Sequence, residues 1–518
     1  MGATSAVAAI LLTATLLTAC SGDDDTSASG PNTTETVQAT EEVDPSQVVD
    51  VDGVSIEPVP AGNGIAQRSA TAPDARQPLP SHYTETEYLL TGTAALYTGP
   101  ATEPTTVESA DHPFATRILV RAPAAAAEFS GQVWLEPFNT TGGGDLDAVW
   151  ASIAPLITQD GDAWVGVTVR AGQMDLLQTF DPVRYAGLDL TNNAYAWDML
   201  RITGALVKQD GADELLPDAE VEHVYMGGYS QSAVDLATFS AAFHDMTRLA
   251  DGSPVYDGYL VGGRAGNLSP LQSGSSIIPT FEQASMPPLD VPVVDMESQT
   301  DVEGFVVEVP TALAQEAGLA GAEEVQTPTF TYTNTGGAAV RRDDSDAELD
   351  RFRLYEISGA PHGGGGGEGC DGTSSFPTHY FFRAAAARLA SWVEDDVAPP
   401  SAPRIELAEA AVVSVAANDE HGNALGGVRS PFVDVPLARY EVHSGPAPTC
   451  KLTGNETPLG ADVLEQLYGD ADGYMEAFTA SLDETIEAGF LLELDRAEIF
   501  QAERVRANAA FARTLSPG

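Results

Sequence analysis

The chain has 518 residues, long enough for one large core with appendages. Its 76 Asp and Glu against 24 Lys and Arg give a net charge of -52, and Lys208 and Lys451 are the only lysines. A surface this negative repels phosphate backbones and anionic headgroups, which argues against nucleic acid as a partner and suits solubility in a saline medium.

Residues 1–20 read as an export signal and not as part of the fold. The apolar run from Ala6 to Leu17 is too short for an ordinary transmembrane helix, and no Lys or Arg precedes it. It ends in Leu17-Thr18-Ala19-Cys20, which resembles the lipobox of bacterial lipoproteins. That resemblance implies cleavage before Cys20 and lipidation of its thiol. The protein would then sit on the extracytoplasmic face of the cell envelope, touching membrane through the lipid alone. An ordinary secretory signal with a chance cysteine is the alternative. Residues 21–82 are rich in Asp, Ser, Thr, Glu, Pro and Gly, the composition of a disordered tether.

From residue 83 to about 400, short apolar runs alternate with helix-compatible stretches, which predicts an α/β core around a mostly parallel sheet. Strands are expected at Ile118–Val120, Val133–Leu135, Trp164–Val169 and Val221–Met226. Others are expected at Tyr259–Val261, Val291–Glu297 and Phe352–Ile357. A helix is expected from Ser232 to Phe243. The excursions 264–290 and 303–345 are candidates for a lid or cap. Past Pro399-Pro400 the composition shifts, and residues 401–518 read as a C-terminal subdomain packed on the core, strand-like at first and helical from Asp462. With Cys20 assigned to a lipid, Cys370 and Cys450 remain as a disulfide pair in an oxidising compartment. Such a bridge would staple the subdomain in place, contributing roughly 4 kcal/mol on the chain-entropy model. Two free buried thiols are the alternative.

The chemistry centres on Gly228-Tyr229-Ser230-Gln231-Ser232, between the strand at 221–226 and the following helix. A nucleophile at such a strained strand-to-helix turn needs small residues two places before and two after it. Gly228 meets the first requirement, and Ser232 stands where Gly is commoner. A serine hydroxyl needs a base to take its proton and an acid to orient that base. His362, in Gly359-Ala360-Pro361-His362-Gly363 just past a strand, is the expected base; His379 reads as a helical residue, and His421 and His443 fall in the C-terminal region. Asp301, in the loop after the strand at 291–297, is the expected acid, with Glu297 as its competitor. The amide of Gln231 and that of Asn139 or Thr140, in the glycine-rich loop 136–144, are the expected oxyanion donors. No cysteine or histidine cluster has zinc spacing, and neither a phosphate loop nor an EF-hand loop occurs, so no cofactor or metal is expected.

The chain resembles a bacterial group of exported proteins, the α/β-hydrolase domain family. The resemblance rests on Thr91-Gly92-Thr93-Ala94, Asn139-Thr140-Thr141-Gly142-Gly143, Ser230-Gln231-Ser232-Ala233 and Glu297-Ser298-Gln299-Thr300-Asp301. Arg353-Leu354-Tyr355-Glu356, Gly359-Ala360-Pro361-His362 and the segment 419–429 extend it over roughly residues 83–500. It implies the α/β-hydrolase fold and a Ser/acid/His site, and no particular substrate. The expected activity is hydrolysis of a small-molecule or polymeric carboxylic ester through an acyl-enzyme. A silent binding lipoprotein, or a peptidase or acyltransferase with the same triad, is the alternative. The segment 419–429 lies outside the triad regions and reads as a structural turn.

Overall fold

A computed structural model describes residues 44, 46–62, 79–209, 212–272, 282–310, 329–364, 370–409, 413–447 and 450–514. The export signal, Cys20 and most of the expected tether lie outside the described residues. In chain order the first strands are β1 (Ser55–Pro58), β2 (Tyr83–Thr98), β3 (Thr106–Pro123), β4 (Gln132–Pro137), β5 (Ala163–Val167), β6 (His223–Tyr229) and β7 (Gly258–Gly262). The short pair β8 (Asn267–Leu268) and β9 (Glu282–Gln283) precedes β10 (Val293–Ser298). A hairpin of β11 (Phe305–Pro310) and β12 (Thr329–Asn334) precedes β13 (Ser345–Ala347) and β14 (Asp350–Ile357). The two pairs occupy the excursions.

Ten of these strands form one sheet in the order β1-β2-β3-β5-β4-β6-β7-β10-β14-β13. From β5 through β14 every neighbour is parallel; β1, β2, β3 and β13 add antiparallel edges. Side-chain alternation decides the layers. Along β4, Val133 and Leu135 enter one apolar cluster and Trp134 the other; along β6, Val224 and Met226 oppose Tyr225 in the same way. A strand covered on both faces is apolar throughout, which is why these central strands stand out in the sequence.

The helices of this part are α1 (Ala148–Asp160), α2 (Gly172–Phe180), α3 (Ala196–Lys208), α4 (Ala212–Leu215), α5 (Gln231–Ala242), α6 (Gln299–Glu303) and α7 (Thr378–Glu394). Leu200 of α3 and Phe239 of α5 fill the first cluster; Ile153 of α1 and Leu389 of α7 fill the second. Helices therefore cover both faces of a mostly parallel sheet, the α/β architecture that the alternating pattern predicts.

Two features depart from the expectation. Ser55–Pro58, inside the stretch whose composition reads as tether, pairs with Tyr88–Thr91 of β2 as an edge strand. Backbone pairing needs no apolar side chains, so composition does not reveal it. The second is the length of the β2–β3 hairpin, of which only Ile118–Val120 is legible. Its alternation is broken by Arg117 and Arg121, both buried. Arg117 pairs with Glu87 at 2.7 Å and Asp145 at 3.3 Å, and Arg121 with Glu85 at 2.9 Å and Asp147 at 2.6 Å. Buried charge is tolerated only when paired, and these partners come from other segments.

Past the core come β15 (Leu407–Ala408), β16 (Val415–Ala416), α8 (Pro431–Asp434), β17 (Ala438–Glu441), α9 (Cys450–Thr453), β18 (Asn455–Pro458), α10 (Ala461–Tyr468), α11 (Ala471–Glu487) and α12 (Arg496–Thr514). Phe432, Tyr440, Phe478 and Leu482 share one cluster with Phe376 and Phe381. Cys370 and Cys450 are bonded, with an S–S distance of 1.97 Å. Arg383 of α7 pairs with Asp495, both buried. The segment 419–429 runs beside the end of β14: Val428 N–H donates to Glu356 O at 2.7 Å, and Ser358 N–H to Val428 O at 3.2 Å.

Candidate active site

Ser230 stands alone between the last residue of β6 and the first of α5, with φ 59° and ψ -123°. An L-residue in this region is strained, and such strain persists only where the surroundings over-determine it. They do so here. Ser230 N–H donates to Gly262 O at 2.8 Å, tying the turn to the end of β7. A Cβ on Gly228 would lie 2.7 Å from Ser232 O and 2.8 Å from Ala233 N, so only glycine lets α5 start this close to β6. Ser232, fully buried, does what a second glycine could not. Its hydroxyl accepts from Tyr229 N–H at 3.0 Å and donates to Tyr229 O at 3.0 Å, bracing the turn from inside.

His362 follows β14 on its own loop. Its Nε2 lies 2.8 Å from Ser230 Oγ and its Nδ1 2.7 Å from Asp301 Oδ1. With Nδ1 protonated and donating to Asp301, Nε2 is left as the acceptor for the Ser230 hydroxyl. Burial alone would depress the imidazole pKa, but the charge and hydrogen bond of Asp301 outweigh it and the net shift is upward from 6.5. Asp301 is itself fixed. It closes a capping box on α6, accepting at Oδ2 from Ser298 Oγ at 2.6 Å and from Ser298 N–H at 3.1 Å. One oxygen is held by its own helix start and the other faces His362.

Glu297, the competing acid, does not reach the histidine. Its Oε2 accepts from Ala265 N–H at 3.0 Å, and its carboxyl bonds to Asp295. Burial, then the charges of Asp295 and Asp301, push its pKa well above the usual carboxylate range. Both effects favour its neutral form. The other histidines lie elsewhere: burial and then Arg383 hold His379 down to about 4, and His443 Nδ1 donates to Lys451 O at 2.8 Å. His421 stands in the 419–429 turn, its N–H donating to Asp419 Oδ1 at 2.9 Å.

The expected oxyanion donors divide. Gln231 N–H occupies the first position of α5, where no intrahelical acceptor exists. Asn139 N–H donates instead to Leu146 O at 3.1 Å, and its side chain donates to Tyr229 O at 2.9 Å. Its backbone amide is therefore committed, which corrects the expectation for Asn139. Thr140 offers two donors to one oxygen: its N–H and hydroxyl both reach Gln231 Oε1, at 2.8 and 3.0 Å. A side-chain carbonyl oxygen thus fills a two-donor pocket next to Ser230. The loop is not free to wander, because Asp145 accepts from Thr168 Oγ1 at 2.6 Å and Arg117 at 3.3 Å.

Sequence reasoning missed three contributors. Gly263, at φ +66°, lies against His362 and Asp301: a Cβ there would be 3.1 Å from His362 Cε1 and 3.3 Å from Asp301 Oδ2. Thr300 Oγ1 accepts from His362 N–H at 3.2 Å, and the Tyr229 hydroxyl donates to His362 O at 2.6 Å. The glycine following the β7 run was a legible signal; the two hydroxyl contacts span 62 and 133 positions and left none. Among the described residues, no group of three or more His, Cys, Asp or Glu is placed to hold a metal ion.

No curated protein matches the sequence. Among solved structures, the chain is similar to esterase 2 of Thermogutta terrifontis, at 12% identity and TM-score 0.26 over 58% of this chain and 93% of that one. It is also similar to a lidless α/β serine hydrolase of Xanthomonas campestris, at 13% identity and TM-score 0.22 over 40% of this chain and 72% of that one. A third is acetyl xylan esterase 1 of a Thermoanaerobacterium species, at 12% identity and TM-score 0.21 over 40% of this chain and 52% of that one. Likenesses this distant carry nothing about activity. The sequence matches the family described as alpha/beta hydrolase domain over residues 56–501, spanning the sheet, the turn at Ser230 and nearly all of the C-terminal region, and the chain belongs to that family.

Proposed function

We propose that the protein is an exported carboxylic-ester hydrolase working through an acyl-enzyme on Ser230. The observation that carries this reading is the continuous chain Ser230–His362–Asp301, built on a strained strand-to-helix turn. In it, Ser230 Oγ attacks the ester carbonyl carbon while its proton passes to His362 Nε2. The carbonyl electrons move onto oxygen, which is met by Gln231 N–H and by the two Thr140 donors once it displaces Gln231 Oε1. As the tetrahedral centre collapses, the alkoxide leaves with the proton from His362. Water then attacks the acyl-enzyme by the same route in reverse order, returning the proton to Ser230. Asp301 never takes that proton; it holds Nδ1–H and stabilises the imidazolium.

A fluorophosphonate probe tests the reading. It should add to Ser230, identified by peptide mass, and the protein should hydrolyse members of a p-nitrophenyl ester series of graded acyl length. Folded protein that neither labels nor hydrolyses any ester would favour the silent binding role. Hydrolysis of amides alone would favour a peptidase.

The proposal includes attachment to the extracytoplasmic face of the cell envelope through a lipid on Cys20. Its support is the sequence Leu17 to Cys20, together with a Cys370–Cys450 bridge of the kind that persists in oxidising compartments. Expressed in a bacterial host, the mature protein should carry a diacylglyceryl mass on Cys20 and sediment with membranes. Cys20→Ser should release it, and an intact mass without lipid ends the idea.

A further inference from the structure

His362 has to satisfy Ser230 and Asp301 at once, yet Gly363 and Gly364 follow it directly. Glycine backbone loses the most freedom on ordering, so Gly363 contributes little of its own to fixing the imidazole. What fixes it is a set of contacts to the backbone around His362 itself. Its N–H donates to Thr300 Oγ1 at 3.2 Å, and Thr300 in turn donates to Val442 O at 3.2 Å. Gly363 N–H donates to Leu452 O at 2.9 Å, in the helix that begins at the bonded Cys450. The carbonyl of His362 accepts from the Tyr229 hydroxyl at 2.6 Å.

The last contact is different in kind, because Tyr229 is the residue directly before Ser230. We propose that Tyr229 is a positioning residue that locks the base to the nucleophile, its hydroxyl gripping the backbone carbonyl of His362 so that the imidazole is held over Ser230. This deepens the Ser230–His362 reading and rests on it. The ring is held on two sides, 5.5 Å from the His362 ring and edge-on to Phe382 at 5.4 Å. Gly262 makes the room, since a Cβ there would lie 2.8 Å from Tyr229 Cδ2. The phenol stays a donor at any working pH: burial first, then the charge of Asp301, push its pKa well above 10.0. Phenylalanine would fill the same space and leave the His362 carbonyl without this donor. The turn at Ser230 does not need the hydroxyl, because Tyr229 N–H and C=O are already engaged by Ser232 and Asn139.

Tyr229→Phe is the test, with rates taken per folded molecule by circular dichroism. Losing a hydrogen bond to this part-buried carbonyl should lower kcat about tenfold to a hundredfold. KM should stay within about twofold, since no substrate contact is removed, and fluorophosphonate inactivation should slow in parallel. The acidic limb of the pH profile should move to lower pH as the His362–Asp301 contact loosens. Tyr229→His, which keeps a ring and a donor, should retain more activity than Tyr229→Leu. A folded Tyr229→Phe with wild-type kcat and pH profile overturns the inference, as does Tyr229→Leu matching Tyr229→His. The underlying reading fails separately, if Ser230→Ala remains active; an inactive Ser230→Ala beside a wild-type Tyr229→Phe condemns the positioning role alone.

Discussion

Ser230→Ala and His362→Ala should each remove nearly all ester hydrolysis, a fall in kcat on the order of 10⁶-fold, with folding intact. In the proposed mechanism the two side chains, joined at 2.8 Å, form one proton-transfer unit, so losing either is about as damaging as losing both. The double variant should therefore be no worse than the singles. Residual turnover would come from the oxyanion donors and from substrate binding, which these substitutions leave in place. Both residues are largely enclosed, and Ser230 holds a strained conformation. Alanine at 230 keeps that backbone and removes only the hydroxyl, so thermal melting should change little. The check is steady-state kinetics on the best ester of the graded series, with circular dichroism to establish folding. Full activity in folded Ser230→Ala would dismiss the mechanism outright.

Asp301→Asn should lower kcat on the order of 10²- to 10⁴-fold with little change in KM, because the acid orients and stabilises the imidazolium without contacting substrate. The pH profile should move too, in a direction the site dictates. A general base works when neutral, so wild-type kcat/KM rises as pH climbs through the His362 pKa, which lies above 6.5. Two effects oppose each other there: burial pushes it down, and the charge and hydrogen bond of Asp301 push it up and win. Asparagine removes the upward effects and leaves burial, so the acidic limb should shift to lower pH even as the plateau falls. Glu297→Gln should do neither. Burial and the charges of Asp295 and Asp301 already push Glu297 toward its neutral form, and glutamine can still accept from Ala265 N–H. Its loss should stay within a few-fold. Crippled Glu297→Gln beside near-normal Asp301→Asn would reverse the assignment of the acid.

What could be read in the sequence follows from how each signal is generated. The central strands were legible because burial on both faces makes them apolar throughout, as with Trp164–Val167 and Tyr259–Val261. The turn at Ser230 was legible because its strain restricts the residues allowed on either side. His362 followed from chain order, with few histidines left to choose among.

Other features were written in pairs that sequence does not join. Arg117 and Arg121 look like surface residues until Glu85, Glu87, Asp145 and Asp147 are brought around them, and they hid most of the β2–β3 hairpin. Asp301 and Glu297 both carry a carboxyl near the end of one strand. Only the placement of β10 beside β14 sends Asp301 to His362 and Glu297 to Ala265. Likewise, no local pattern says that Asn139 N–H is consumed by Leu146 while Thr140 presents two donors. By itself the sequence determined the α/β class and the strand-to-helix turn at Ser230, because steric and hydrophobic demands act over a few neighbouring residues. The tertiary structure alone decided which carboxylate faces His362, which amides stay committed and what holds the His362 backbone. Those outcomes rest on directional hydrogen bonds between segments far apart in the chain, and such bonds leave no periodic trace in it.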